Sequence, residues 1–154
     1  MSYDITLNDP VTGQTLVTDE PHFMYGGTYA VGGTAELWLN ITYNYANYYY
    51  EVTDNDPRFA HDEISCYYSD GTHGPVETQY GIRGIYGKTG AESIPLLNDM
   101  ISRIKEKYMR DGRWIKEQGP NGDYWTATAA NAIKPLYKLL AMAQMRPDGV
   151  WDGD

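Results

Sequence analysis

A chain of 154 residues with 42% apolar content is long enough to bury a core of its own and short for two, which excludes wholesale disorder and any need for a structural metal or disulfide. Its 21 Asp and Glu against 12 Lys and Arg leave a net charge of -9, which speaks against broad nucleic-acid binding and against docking on anionic membranes. The single cysteine, Cys66, forms no intrachain disulfide and fits a reducing compartment; with no leader-like start and no apolar run of about 18 residues, a cytoplasmic protein is expected.

Residues 3–7 alternate as a strand, 8–13 supply turn chemistry and 14–17 resume the strand, which predicts a β-hairpin. The glycine-punctuated run 26–33 predicts a short strand between turns. Over 37–43 the spacing puts Leu37, Leu39, Ile41 and Tyr43 on one strand face, and 44–50 either extends that strand or begins a helix. From Asp54 to Tyr80 the composition turns to Asp, Pro, Gly, Ser and His without periodicity, as in a long loop.

Thr89-Gly90-Ala91-Glu92 matches a capping box and opens a helix over 90–111 with Ile94, Leu97, Ile101, Ile104 and Tyr108 in a stripe; Pro95 allows a later start. After a turn at 119–123, a second helix over 126–146 turns Ala129, Ile133, Leu136, Leu140 and Ala143 inward. Pro135 predicts a kink or a late start there, and Pro147-Asp148-Gly149 stops it. The expected fold is a single α+β domain over 1–154, an antiparallel β-sheet from the N-terminal half packed against two C-terminal amphipathic helices.

The segment Arg83-Gly84-Ile85-Tyr86-Gly87-Lys88-Thr89-Gly90 ends in Gly-Lys-Thr at a helix N-terminus, where free amides and the helix dipole favour an anion. It is not a P-loop, because Ile82 stands where that pattern requires glycine. It reads as an ordinary helix cap or as a phosphate cradle built from Arg83, Gly87, Lys88 and Thr89, without hydrolysis. With 15 Tyr and 4 Trp against 2 Phe, the chain favours rings that carry a polar handle. Trp38, Tyr43, Tyr45, Tyr48 and Tyr49, with Tyr50, form either a stacking platform or interface or the sheet face beneath the helices; the interface is the favoured reading.

His61, Cys66 and His73 lie among carboxylates, but their spacing fits no zinc pattern, and Asp54-Asn55-Asp56 lacks the later residues of a calcium loop. Carboxylates near Cys66 are expected to raise its pKa and make it a poor nucleophile. His22 follows an acidic pair and reads as a base or, more simply, as a surface histidine. No catalytic residue, metal or cofactor is therefore expected.

Three stretches carry a likeness: Gly26-Gly27-Thr28-Tyr29 leading into Trp38–Tyr45, Gly81-Ile82-Arg83 through Tyr86–Ala91, and the ending Met145–Asp154. On these the chain resembles a family of small uncharacterised proteins encoded by bacteriophages and prophages, with the acidic 54–80 segment as the variable part. The resemblance implies a phage accessory protein acting in the bacterial host cytoplasm and carries over no site residue. The first reading is a non-enzymatic binding protein, counter-defence in role, that occupies a host protein or sequesters a small nucleotide, as a monomer or homo-oligomer. The alternatives are an enzyme acting on a nucleotide or nucleic acid, with Arg83, Lys88 and His22 as its groups, and a minor virion or assembly protein.

Overall fold

The computed structural model describes the backbone of residues 1–25, 28–31 and 34–154 and the side chains of 1–19 and 35–154. The fold is α+β, as the residue patterns predict. Its main sheet contains β1 (Ser2–Asn8), β2 (Val17–Tyr25), β3 (Thr28–Val31), β4 (Thr34–Glu36), β5 (Trp38–Thr42) and β10 (Val150–Gly153), in the order β10-β1-β5-β2-β3 with β4 also paired to β2. The strand expected between the glycine turns is β3; the turns at 26–27 and 32–33 and the side chain of His22 lie outside the described residues.

Burial alternates along β1, with Tyr3, Ile5 and Leu7 inside. Antiparallel β5 sets Ile41 opposite Tyr3 and Leu39 opposite Ile5, so the apolar side chains share one face. The other face is polar: Asn40 Nδ2 donates to Ser2 Oγ at 2.6 Å and to Asp4 Oδ1 at 2.8 Å. The expected hairpin over 3–17 forms only at its turn, where the Asp9 carboxylate accepts from the amides of Val11 and Thr12 and Asn8 bridges Thr15. Beyond it Leu37 comes between, donating to Leu16 O while its own carbonyl accepts from Leu7 N, and β1 takes β5 and β10 as neighbours. Leu7, Leu16 and Leu37 are all buried in this arrangement.

The ambiguous 43–50 stretch is helical. Thr42 Oγ1 caps a single 3-10 turn at Tyr43–Tyr45, and α1 (Ala46–Thr53) follows. Nor is 54–80 one long loop. Phe59 is fully buried, and the Asp56 carboxylate accepts from Arg58 at 2.8 Å and Arg103 at 3.0 Å, which holds it well below the usual carboxylate range. Then β6 (His61–Ile64) and β7 (Val76–Gln79) form a separate two-stranded ladder.

In α2 (Gly90–Tyr108) both arms of the predicted capping box are present, and Pro95 lies inside the helix instead of delaying it. The helix ends at Tyr108, short of Gly112. Asp111 and Gly112, at φ 54° and 74°, make the two-residue turn between β8 (Met109–Arg110) and β9 (Arg113–Trp114). Thr128 caps α3 (Ala129–Met145), which runs through Pro135. Among the described residues no helix is long and apolar enough to cross a membrane.

The apolar sheet face, α1, α2 and α3 enclose one cluster in which tyrosines do much of the filling. Their hydroxyls find carbonyls: Tyr49 donates to Ala132 O at 2.8 Å and Tyr45 to Tyr124 O. Burial holds the Tyr49 hydroxyl well above its ordinary pKa, pushes Tyr45 up to about 12, and raises Tyr3, Tyr86 and Tyr108 further. A group whose native pKa exceeds its unfolded value stabilises the fold fully below the unfolded value, here about 10, and loses that contribution as pH rises toward the native one. The thermal midpoint should therefore drop as pH climbs from about 10 to about 12, with tyrosinate absorbance rising cooperatively as the fold is lost. Ionisation of Tyr3, Tyr45, Tyr49, Tyr86 and Tyr108 near pH 10 in a folded chain would contradict this packing.

Candidate functional site

The segment leading into α2 is built inward by its hydrophobic residues. Ile82 and Ile85 of the 3-10 turn Ile82–Ile85 are buried, which leaves Arg83 and Tyr86 facing the other way. Gly84 permits a close approach: a Cβ there would stand 2.4 Å from the carbonyl oxygen of Phe59. Arg83 lies across the Tyr3 ring at 4.9 Å, its Nε donating to Asp154 O at 2.7 Å and its Nη2 to the Tyr43 hydroxyl at 3.0 Å. Lys88 turns back instead, and Nζ donates to Gly84 O at 2.9 Å.

The sequence reading of Arg83, Gly87, Lys88 and Thr89 as a phosphate cradle requires free amides, and every amide from 87 to 93 has a partner within the chain. Gly87 N donates to Trp151 O, Lys88 N to Ile85 O, Gly90 N to Gly149 O, Ala91 N to Pro147 O and Ser93 N to Thr89 O. Thr89 N and Glu92 N complete the capping box. The protein's own carbonyls and side chains thus fill the place an anion would take.

The aromatic candidates also separate. Tyr45, Tyr48 and Tyr49 are buried, which corrects their reading as an interface: the 3-10 turn buries Tyr45 and the eight-residue helix puts Tyr48 and Tyr49 on its inner side, whereas strand alternation would have sent some outward. Tyr48 donates to Gln118 Oε1 at 2.6 Å. Trp38 stands on the polar sheet face, away from them, and Tyr43 is half-buried edge-on to Tyr3 at 4.6 Å. Of the run 43–50, Tyr50 is the ring most open to solvent.

Within the acidic 54–80 segment, what the sequence did not mark is the arm formed by β6, β7 and the segment between them. Phe59 and Ile82 belong to the core, but no side chain from 60 to 79 does. The arm is nevertheless well tied. The Asp70 carboxylate accepts from Thr72 N at 2.9 Å, Tyr68 N donates to Thr72 O at 2.8 Å, Gly74 N donates to Cys66 O at 2.8 Å, and Tyr67 bridges His73. It exposes Tyr67, Tyr68 and Val76 at 75%, 53% and 57% of their surface. It carries Asp62, Glu63, Asp70 and Glu77 and no Lys or Arg between Arg58 and Arg83. The legible sign was this run without basic residues; its strand pairing was not, because β6 and β7 do not alternate apolar with polar residues.

At the base of the arm lies an open cleft of about 480 Å³, lined by His61, Asp62 and Glu63 of β6, by Arg83 and Tyr86, and by Gly153 and Asp154. His61 Nδ1 lies 3.1 Å from Phe59 O and Nε2 3.0 Å from Glu63 Oε1, so both ring nitrogens face acceptors. Cys66 departs from expectation: hydrogen bonds from Tyr68, Ser65 and the Gly74 amide hold its thiol below the ordinary value, outweighing Glu77. Among the described residues, however, no three His, Cys, Asp or Glu side chains converge as metal ligands.

No family model matches this chain, and neither a curated protein nor a solved structure is similar to it.

Since Arg83 ties the 82–86 turn to Asp154 and Tyr43, Arg83→Met should lower the free energy of unfolding by about 2 kcal/mol. Lys88→Met, which removes one bond at a half-exposed site, should cost about 1 kcal/mol or less. Urea denaturation of both variants decides this. An equal or larger loss at Lys88 would reverse the assignment of Arg83 as the tie.

Proposed function

We propose that this is a non-enzymatic binding protein that engages a basic protein of its bacterial host through the acidic arm of β6 and β7. The observation that carries the reading is the arm itself, which adds no side chain to the core yet exposes two tyrosines and a valine among four carboxylates. Exposed tyrosines beside a polar rim are the composition of an interface centre, because a large ring is desolvated at small cost in side-chain freedom. Carboxylates that outnumber the basic groups beside them attract basic surfaces from a distance and repel acidic ones.

The resemblance to phage and prophage proteins supplies the setting: a counter-defence protein that occupies a host component in the cytoplasm. Between the two ligands considered from sequence, the protein partner is favoured over a nucleotide, because the amides at 87–93 are engaged by the chain itself. A nucleotide phosphate takes short, charge-assisted hydrogen bonds, and the amides of that segment offer it no free set of donors.

A variant with 62–78 replaced by a short Gly-Ser link tests the proposal, since His61 and Gln79 are already paired across the ladder. Its thermal midpoint should shift by about 4 °C or less. From bacterial lysate at low salt the full chain should retain a basic protein that high salt releases, and the armless variant should not. Retention of the same protein without the arm would refute the reading, as would native mass spectrometry showing a nucleotide on the full chain and no protein.

A further inference from the structure

We infer that the outer edge of β6 docks an extended, lysine- or arginine-bearing segment of the basic partner, which adds a third strand to the β6–β7 ladder; this rests on the arm being the binding element. Ladder parity defines that edge. Ser65 N donates to Pro75 O across the pair. In an antiparallel ladder the residues that bond the neighbour alternate with those that face away, so 61, 63 and 65 point toward β7 while Asp62 and Ile64 point their amides and carbonyls outward.

These outward groups have no hydrogen-bond partner elsewhere in the described residues. An unpaired edge of this kind is a template for another strand. Of the two outer edges, that of β6 borders the 480 Å³ cleft, which receives His61, Asp62 and Glu63 from β6 and nothing from β7.

The charges around this edge select the occupant. Asp62 and Glu63 stand on opposite faces of β6, so an incoming strand meets a carboxylate on either face. Glu63 also lies directly across the ladder from Glu77, a like-charge pair that weakens the arm until a cation is set beside it. Arg83 feels the Glu63 charge across the cleft, but its guanidinium gives its hydrogen bonds to Asp154 O and the Tyr43 hydroxyl and none to Glu63. His61 engages one Glu63 oxygen only.

The test uses the full chain and two capped octapeptides, one of alternating Lys and Val, the other of alternating Glu and Val. With the Lys peptide, amide exchange followed by NMR should slow at Asp62 and Ile64 and stay unchanged at Thr78; the Glu peptide should not bind. Ile64→Pro, which deletes an outward amide and leaves the β6–β7 bonds in place, should weaken binding about 10-fold, and Thr78→Pro on the opposite edge should not. The double variant Asp62→Asn, Glu63→Gln keeps the backbone and should weaken it by a similar factor, which separates lost docking from a misfolded arm. Protection at Thr78 without Ile64, equal binding of both peptides, or undiminished binding by Ile64→Pro would overturn the inference. Capture of the host protein that needs the arm but survives Ile64→Pro would reject the edge and keep the arm; capture that survives arm removal would reject both.

Discussion

The fold depends on the return of residues 147–153 across the start of α2. One side of β10 pairs with β1, and on the other Trp151 exchanges backbone bonds with Gly87 and Lys88. The Trp151 ring is buried, and its Nε1 donates at 2.8 Å to Ser93 Oγ, which donates at 2.8 Å to Gly90 O. Gly149 and Pro147 lend their carbonyls to the first amides of α2. The unpaired donors of a helix N-terminus, which elsewhere attract an anion, here bind the sheet to the helix layer. Gly90 and Gly149 allow it, since a Cβ at Gly90 would meet Arg146 O at 2.7 Å and one at Gly149 would meet Leu7 at 2.6 Å.

A second constraint comes from filling a core with phenols. Each buried hydroxyl must find an acceptor, so packing also directs the chain that supplies it. The segment between β9 and α3 is held this way. Tyr45 reaches Tyr124 O, and Tyr48 reaches Gln118 Oε1, which also accepts from Ala129 N at 2.9 Å. Fully buried Asn131 completes the tether, accepting from Asn121 N at 3.0 Å and donating to Thr126 O at 3.1 Å. The tyrosines therefore order a region that has almost no regular structure of its own.

Legibility in the sequence followed the range of the interaction. The Thr89–Glu92 box and both long helices were readable because a cap and a 3.6-residue period are local. The β1 turn was readable at Asp9 for the same reason, whereas the true neighbours of β1 lie about 36 and 145 residues away in the chain, where no local pattern points. The Gly-Lys-Thr segment shows the converse error. Its residue types suit an anion, but the amides of Gly87, Gly90 and Ala91, which the local capping pattern leaves open, are taken by residues 147–151. The tyrosine run failed for want of a period, since rings at 43, 45, 48, 49 and 50 suit either element until burial chooses. In the candidate site, the acidic character of 54–80 was visible beforehand and its strand pairing was not.

The arm enters and leaves the body at neighbouring points, His61 and Gln79 being paired, and none of its side chains enters the core. Changes within it are therefore uncoupled from the folding of the remainder, and the entropy of closing such an insertion grows only slowly with its length. That makes it an exchangeable cassette. An arm of different length or sequence could be carried at that point with little effect on how the tyrosine-filled scaffold folds.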